Sequence, residues 1–181
     1  MRKLATLSII LFAFNTFAQS RTTLPSESET TKNDPKITVC SQNLENYGAY
    51  AEVKVRSQGM SQADFEDKEK ALVARFAEKA CDIIALQEIL GRSEQKVNAA
   101  LDKLKSAILK KTGRNFDSIS YGGPDPALRV GYLFAKDKVD LLNTTSYANL
   151  ELPRISVNQK PRFFSRGPLE IQFKTKDQSK K

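Results

Sequence analysis

The 181-residue sequence contains no histidine. That absence removes the side chain most often used to move a proton near neutral pH. It also leaves Cys40 and Cys81 without a base to activate them, so neither reads as a nucleophile. Long apolar runs are scarce as well. Leu4 to Phe14 is too short for a comfortable transmembrane span, and no other segment approaches one. No internal repeat divides the chain, and stable membrane insertion is not expected.

The apolar stretch has a different reading. Arg2 and Lys3 precede it and Thr16-Phe17-Ala18 come after it, the pattern of a secretory signal peptide cleaved after Ala18. The mature chain is therefore expected to be secreted or periplasmic. Residues 19–35 are polar, with Leu24 as their one apolar member, and read as a flexible leader. The folded part is expected over 36–175, with a basic tail at 176–181. The formal net charge is +8, and losing Arg2 and Lys3 leaves +6. A basic surface favours polyanions such as nucleic acid or phosphorylated headgroups, and equally suits a solvated surface.

Strands and helices are read from periodicity. Ile83, Ile84, Ala85 and Leu86 form a short apolar run suited to a strand buried on both faces, ending in Gln87 and Glu88. Ile37 to Gln42 is a similar strand, ending in Asn43-Leu44-Glu45-Asn46. Between them, Ser61 to Asp64 resembles a capping box, and Phe65, Leu72, Phe76 and Ala80 make an apolar stripe over Gln62–Lys79. Glu66, Lys68, Lys70, Arg75 and Glu78 fall mostly opposite that stripe. Strand, helix, strand implies two parallel strands, with Asn43 and Glu88 emerging at one edge. Ligands bind at such edges in open α/β sheets.

A second helix starts near Ser93, buries Val97, Ala100, Leu101, Leu104 and Ile108, and stops at Gly113. Further strands are expected at 116–121, at 129–134 and 139–142 (a hairpin around Ala135-Lys136-Asp137-Lys138), and at 169–173, with a loop over 143–165. The fold class is α/β, part of a layered sandwich with one mixed sheet and helices on its outer face. A lone sheet of this kind would leave its inner apolar face uncovered.

Two cysteines in an exported chain invite a disulfide. With Asn43 and Glu88 level, however, Cys40 and Cys81 are offset by roughly 13 Å along parallel strands, beyond the ~7 Å Cα limit. Free buried thiols are expected instead.

Taken together, these segments resemble the endonuclease/exonuclease/phosphatase superfamily, the fold of pancreatic-type deoxyribonuclease. "NLENYG" and "DIIALQEI" are similar to its first two motifs. "GGPDPALRVGYLFAKDKVDLL" is similar to its central hairpin and "FFSRGPLEIQF" to its Arg-x-Pro strand. The four occur in family order between Ile37 and Phe173. The resemblance implies a domain of about 250 residues, whose later motifs carry a strand-borne His, an Asp-x-Asn pair and a terminal Asp-His. This sequence has no such motif, so the second half of the family fold is expected to be missing.

The resemblance also implies roles. Glu88 would ligate Mg²⁺ (or Mn²⁺ or Ca²⁺), with Asn43 offering its amide to the metal or to a phosphate oxygen. Without the resemblance, Glu88 suits a surface ion pair and Asn43 a turn, where its side chain bonds its own backbone. Glu45 and Asn46 compete for the same roles. Arg166, before Gly167-Pro168, has the planar fork suited to a phosphate, though it also suits an exposed loop. Asp125 would orient a histidine that is absent, and Tyr121 reads as a sheet aromatic.

The implied function is a secreted metal-dependent phosphodiesterase, with a nuclease the first reading and nucleic acid or another phosphodiester as substrate. A C-terminal half would be its missing partner. Within the same fold, an inositol-phosphate phosphatase or a sphingomyelinase-like phospholipase is the alternative. From another class, a non-catalytic remnant or binding module fits the absence of histidine. Whether the chain alone is an enzyme stays open. General-base catalysis contributes about 10²- to 10⁴-fold, so the chain alone is expected to be inactive or nearly so.

Overall fold

A computed structural model describes residues 6–11, 36–156 and 160–176. In chain order the elements are β1 (Thr6–Leu11), β2 (Val39–Tyr47), α1 (Tyr50–Arg56), α2 (Gln62–Glu78), β3 (Ile83–Leu90), α3 (Glu94–Thr112), β4 (Phe116–Tyr121), β5 (Leu128–Ala135), β6 (Val139–Ser146) and β7 (Leu169–Thr175). They form a mixed four-stranded sheet, β2-β3-β5-β4, and a three-stranded sheet, β1-β7-β6.

The expected helices form for the expected reasons. Ser61 caps α2 reciprocally: its hydroxyl accepts from Asp64 N and its own N–H donates to the Asp64 carboxylate. Phe65, Leu72, Val73 and Phe76 are its buried face. Helix α3 starts at Ser93, buries all five predicted apolar residues and stops at Gly113, whose φ of 71° glycine adopts without strain. Helix α1 was not predicted; it is a single short segment burying Val53.

The apolar run of β3 is explained by its two faces. Ile84 and Leu86 pack with the helices, while Ile83 and Ala85 pack against Val139, Leu169, Ile171 and Phe173 of the small sheet. The inner face is therefore covered, contrary to the expectation for a lone sheet. The chain contributes strands to both layers.

The predicted hairpin is also corrected. Strand β5 pairs with β3 and β4, whereas β6 pairs with β7. Nearly every residue of β5 is buried, so it needs neighbours on both edges and cover on both faces. Strand β6 is mostly exposed, and the turn at 136–138 carries the chain from one sheet to the other.

Cys40 and Cys81 are joined in a disulfide with Cα atoms 5.8 Å apart, which overturns the expectation of free thiols. That expectation extended β3 in a straight line back to Cys81. The strand begins only at Ile83. Ala80, at φ 48°, turns the chain sharply at the end of α2, and Cys81 N donates to Phe76 O. Asp82 N and Ile83 N both donate to Thr38 O, which draws this corner onto the start of β2. The Asp82 carboxylate accepts from Thr38 N and pairs with Arg114, fixing the corner further.

Strand β1 lies within the predicted signal peptide and runs antiparallel to β7, Thr6 opposite Lys174 and Leu11 opposite Leu169. The expected cleavage point at Ala18 and the leader at 19–35 lie outside the described residues. So do 177–181 of the expected tail. Lys176, its first residue, is tied to Asp140 and to the Lys136 carbonyl. No helix among the described residues is long and apolar enough to cross a membrane.

Candidate functional site

Strands β2 and β3 are parallel, and Asn43 is the register partner of Gln87. Asn43 and Glu88 therefore leave the sheet at one edge, as the strand-helix-strand pattern predicts. Beyond this pair both ladders become irregular. The β2–β3 ladder breaks between Asn43 and Tyr47, leaving residues 44–46 opposite Glu88 alone. The β3–β5 ladder breaks between Leu86 and Ile89, so Gln87 and Glu88 face Val130 alone. Glu88 has no register partner on either side. Bulges of this kind re-aim side chains and cluster beside active sites.

Backbone strain is concentrated there. Four non-glycine residues of the described chain have left-handed φ, and three of them are Glu45 (50°), Asn46 (65°) and Glu88 (58°). Each such residue costs on the order of 1–3 kcal/mol and persists only where its surroundings hold it. Asn43 Oδ1 accepts from Glu45 N at 2.8 Å, Lys68 Nζ donates to Glu45 O at 2.6 Å, and Arg56 Nε donates to Asn46 Oδ1 at 2.7 Å. Beneath the bulge, the buried Tyr47 ring stacks on Phe65 at 5.5 Å, and its hydroxyl donates to Glu69. Burial, followed by that carboxylate, pushes the Tyr47 hydroxyl far above the ordinary tyrosine range.

Arg166 reaches the same edge from the segment before β7. Its Nη1 stands 3.7 Å from Glu88 Oε1, with the two side chains 20 % and 23 % exposed. Two backbone contacts hold that segment: Asp125 N donates to Ser165 O at 2.9 Å, and Tyr147 N donates to Pro168 O at 2.9 Å. Asp125 adds charge as well as position. Its Oδ1 accepts from the N–H groups of Ala127 and Leu128. Burial works to raise its pKa, but those two donors and the guanidiniums of Arg56 and Arg166 outweigh it and hold the carboxyl below its ordinary range.

Glu88, Asn43, Glu45, Asn46, Asp125 and Arg166 thus belong to one neighbourhood. Asn43 makes the turn bond to its own backbone that an unassisted reading of the sequence allows. Its amide oxygen keeps a second lone pair for another partner. Tyr121, on β4, is an exposed sheet aromatic, as expected.

Two site residues escaped the sequence. Arg56 ends the unpredicted helix α1. Lys68 was placed opposite the apolar stripe of α2, yet it is half-buried beside the bulge. Burial draws its ammonium below the ordinary lysine range, against the opposing pull of the Glu45 and Glu88 carboxylates. The signal was there in the spacing: Lys68 is three residues after Phe65 and four before Leu72, both buried.

The donors fit a hard cation of one kind. No group of three or more acidic, Cys or His side chains converges among the described residues, so there is no all-protein cage. Mg²⁺ does not require one, since it commonly binds through one or two carboxylates and keeps its waters. Glu88, partly exposed and only loosely paired, meets that requirement, and Asn43 offers a second oxygen.

No protein-family model and no curated protein matches the chain. Among solved structures, it is similar to an endonuclease/exonuclease/phosphatase family protein from Bacteroides thetaiotaomicron, at 18 % identity and a TM-score of 0.47. The match covers 78 % of this chain and 46 % of that one, so the chain spans less than half of that protein's length.

Proposed function

We propose that this chain carries the cation- and phosphate-handling side of a secreted phosphoester hydrolase of the endonuclease/exonuclease/phosphatase type, with a nucleic-acid phosphodiester as its first substrate. One observation carries the reading: Glu88 sits on a doubly bulged strand end without a ladder partner, facing Arg166. Glu88 and Asn43 would hold Mg²⁺, which supplies neutralisation of charge on a phosphoryl group. Arg166 would bind a phosphate oxygen through its planar fork, and Asp125 would hold that guanidinium in place. The Cys40–Cys81 bond supports export, because disulfides persist in oxidising compartments.

No histidine stands in the 181 residues to activate water. The chain alone is therefore expected to bind without turning over, and this same feature favours the binding-module reading. The deciding experiment is calorimetric titration of the purified chain with Mn²⁺ and with a short oligonucleotide, beside a phosphodiesterase assay. Mn²⁺ binding that Glu88→Gln abolishes supports the proposal. Absence of Mn²⁺ binding by the wild-type chain overturns the cation site, and robust turnover overturns the expected inactivity.

A further inference from the structure

We infer that Lys68 is a positioning residue of this site, clamping the Glu45 carbonyl from α2 and so fixing the β2 bulge that sets Asn43 and Asn46 beside Glu88. The inference rests on the proposed function for what the site does, and on geometry alone for what Lys68 holds.

Residues 44–46 leave the ladder between two register pairs, Asn43 with Gln87 and Tyr47 with Ile89. Glu45, in the middle of this excursion, has no strand partner. Both of its backbone groups are instead taken by side chains: the N–H by Asn43 Oδ1 at 2.8 Å and the carbonyl by Lys68 Nζ at 2.6 Å. The first bond is local to the loop. The second ties the bulge to α2, as Arg56 of α1 ties it through Asn46 Oδ1.

Lysine suits that task. At the margin of the buried stripe its stem can lie along apolar surface while the ammonium stays at the edge of the sheet. The compact ammonium carries three donors. One goes to the carbonyl, and the charge faces the carboxylates of Glu45 and Glu88. The effect of removing Lys68 on cation binding then has two opposite parts. Losing a positive charge near Glu88 favours a cation, whereas losing the bulge geometry disfavours it. A positioning residue is one for which the second part wins.

The test uses the full chain with Lys68→Met and Lys68→Arg, followed by amide hydrogen exchange and Mn²⁺ titration. Lys68→Met is expected to speed exchange at residues 45–47 at least tenfold, to leave α3 and β4 unchanged, and to weaken Mn²⁺ binding several-fold. Lys68→Arg should restore most of both. Unchanged exchange at 45–47, or tighter Mn²⁺ binding in Lys68→Met, overturns the inference; the latter would mean that Lys68 acts through charge alone. If Lys68→Met does not fold, the Lys68→Gln variant gives the same exchange readout. If the wild-type chain binds no Mn²⁺, the proposed function fails while the exchange result still decides the role of Lys68.

Discussion

Arg166 Nη1 and Glu88 Oε1 are 3.7 Å apart, close enough to attract and too far for a hydrogen bond. Neither group is saturated by the other, so a cation can approach the carboxylate and a phosphate the guanidinium. Both are partly screened, and the positive charge of Arg166 should oppose a cation at Glu88 by about 1 kcal/mol. Arg166→Gln is therefore expected to tighten Mg²⁺ binding about fivefold and to weaken binding of inorganic phosphate, both read by calorimetry. Glu88→Gln should do the reverse. Equal Mg²⁺ affinity in Arg166→Gln and wild type would show that the two charges do not share a site.

The disulfide closes a sequence separation of 41 residues. In the chain-entropy picture, a loop of that size is worth about 4 kcal/mol. Reduction, or the paired change of Cys40 and Cys81 to Ser, should lower the urea midpoint and steepen the slope, because the denatured chain without the cross-link exposes more surface. A thiol assay on the denatured, unreduced chain should find no free cysteine. Two free thiols in protein recovered from an oxidising compartment would rule the bond out.

Asp125 ties the turn before β5 to the segment that carries Arg166. Its carboxyl is held below its ordinary range, so its contribution is present above the unfolded carboxylate pKa and is lost as pH falls through the folded one. Asp125→Ala also removes the acceptor for two backbone donors and should cost about 1–3 kcal/mol at neutral pH. Stability measured from neutral pH down to about 3 should fall less in Asp125→Ala than in wild type. Parallel curves for the two proteins would contradict this.

Much of this architecture was legible because local signals and tertiary demands agree. The stripe of α3 and its Ser93 and Gly113 ends correspond residue for residue to the observed helix, and the double burial of β3 was written in its unbroken apolar run. Asn43 and Glu88 were placed at one edge by topology alone. Other features depend on partners distant in sequence. Whether 129–134 and 139–142 pair with each other or with other strands depends on β3, β4 and β7, which no local window contains. The disulfide depended on a left-handed Ala80, and the site on left-handed Glu45, Asn46 and Glu88. None is a glycine that would have announced the turn. Lys68 was hidden because charge suggested an exposed face while spacing placed it at the edge of the buried one.

Gly167 explains how Arg166 is aimed. A Cβ at this position would lie 2.2 Å from Ala148 Cα and 2.6 Å from Ala148 N, both backbone atoms that cannot rotate away. Gly167→Ala must therefore push its segment off Tyr147 and Ala148, at a cost of about 1–3 kcal/mol for overpacking. The segment also carries the Ser165 carbonyl that accepts from Asp125 N, so the displacement should reach Arg166 directly. Gly167→Ala is expected to reproduce the tighter Mg²⁺ binding of Arg166→Gln although the guanidinium is still present. Lost stability together with wild-type Mg²⁺ affinity would mean that Arg166 keeps its place without this close approach, and the backbone contact would then serve stability alone.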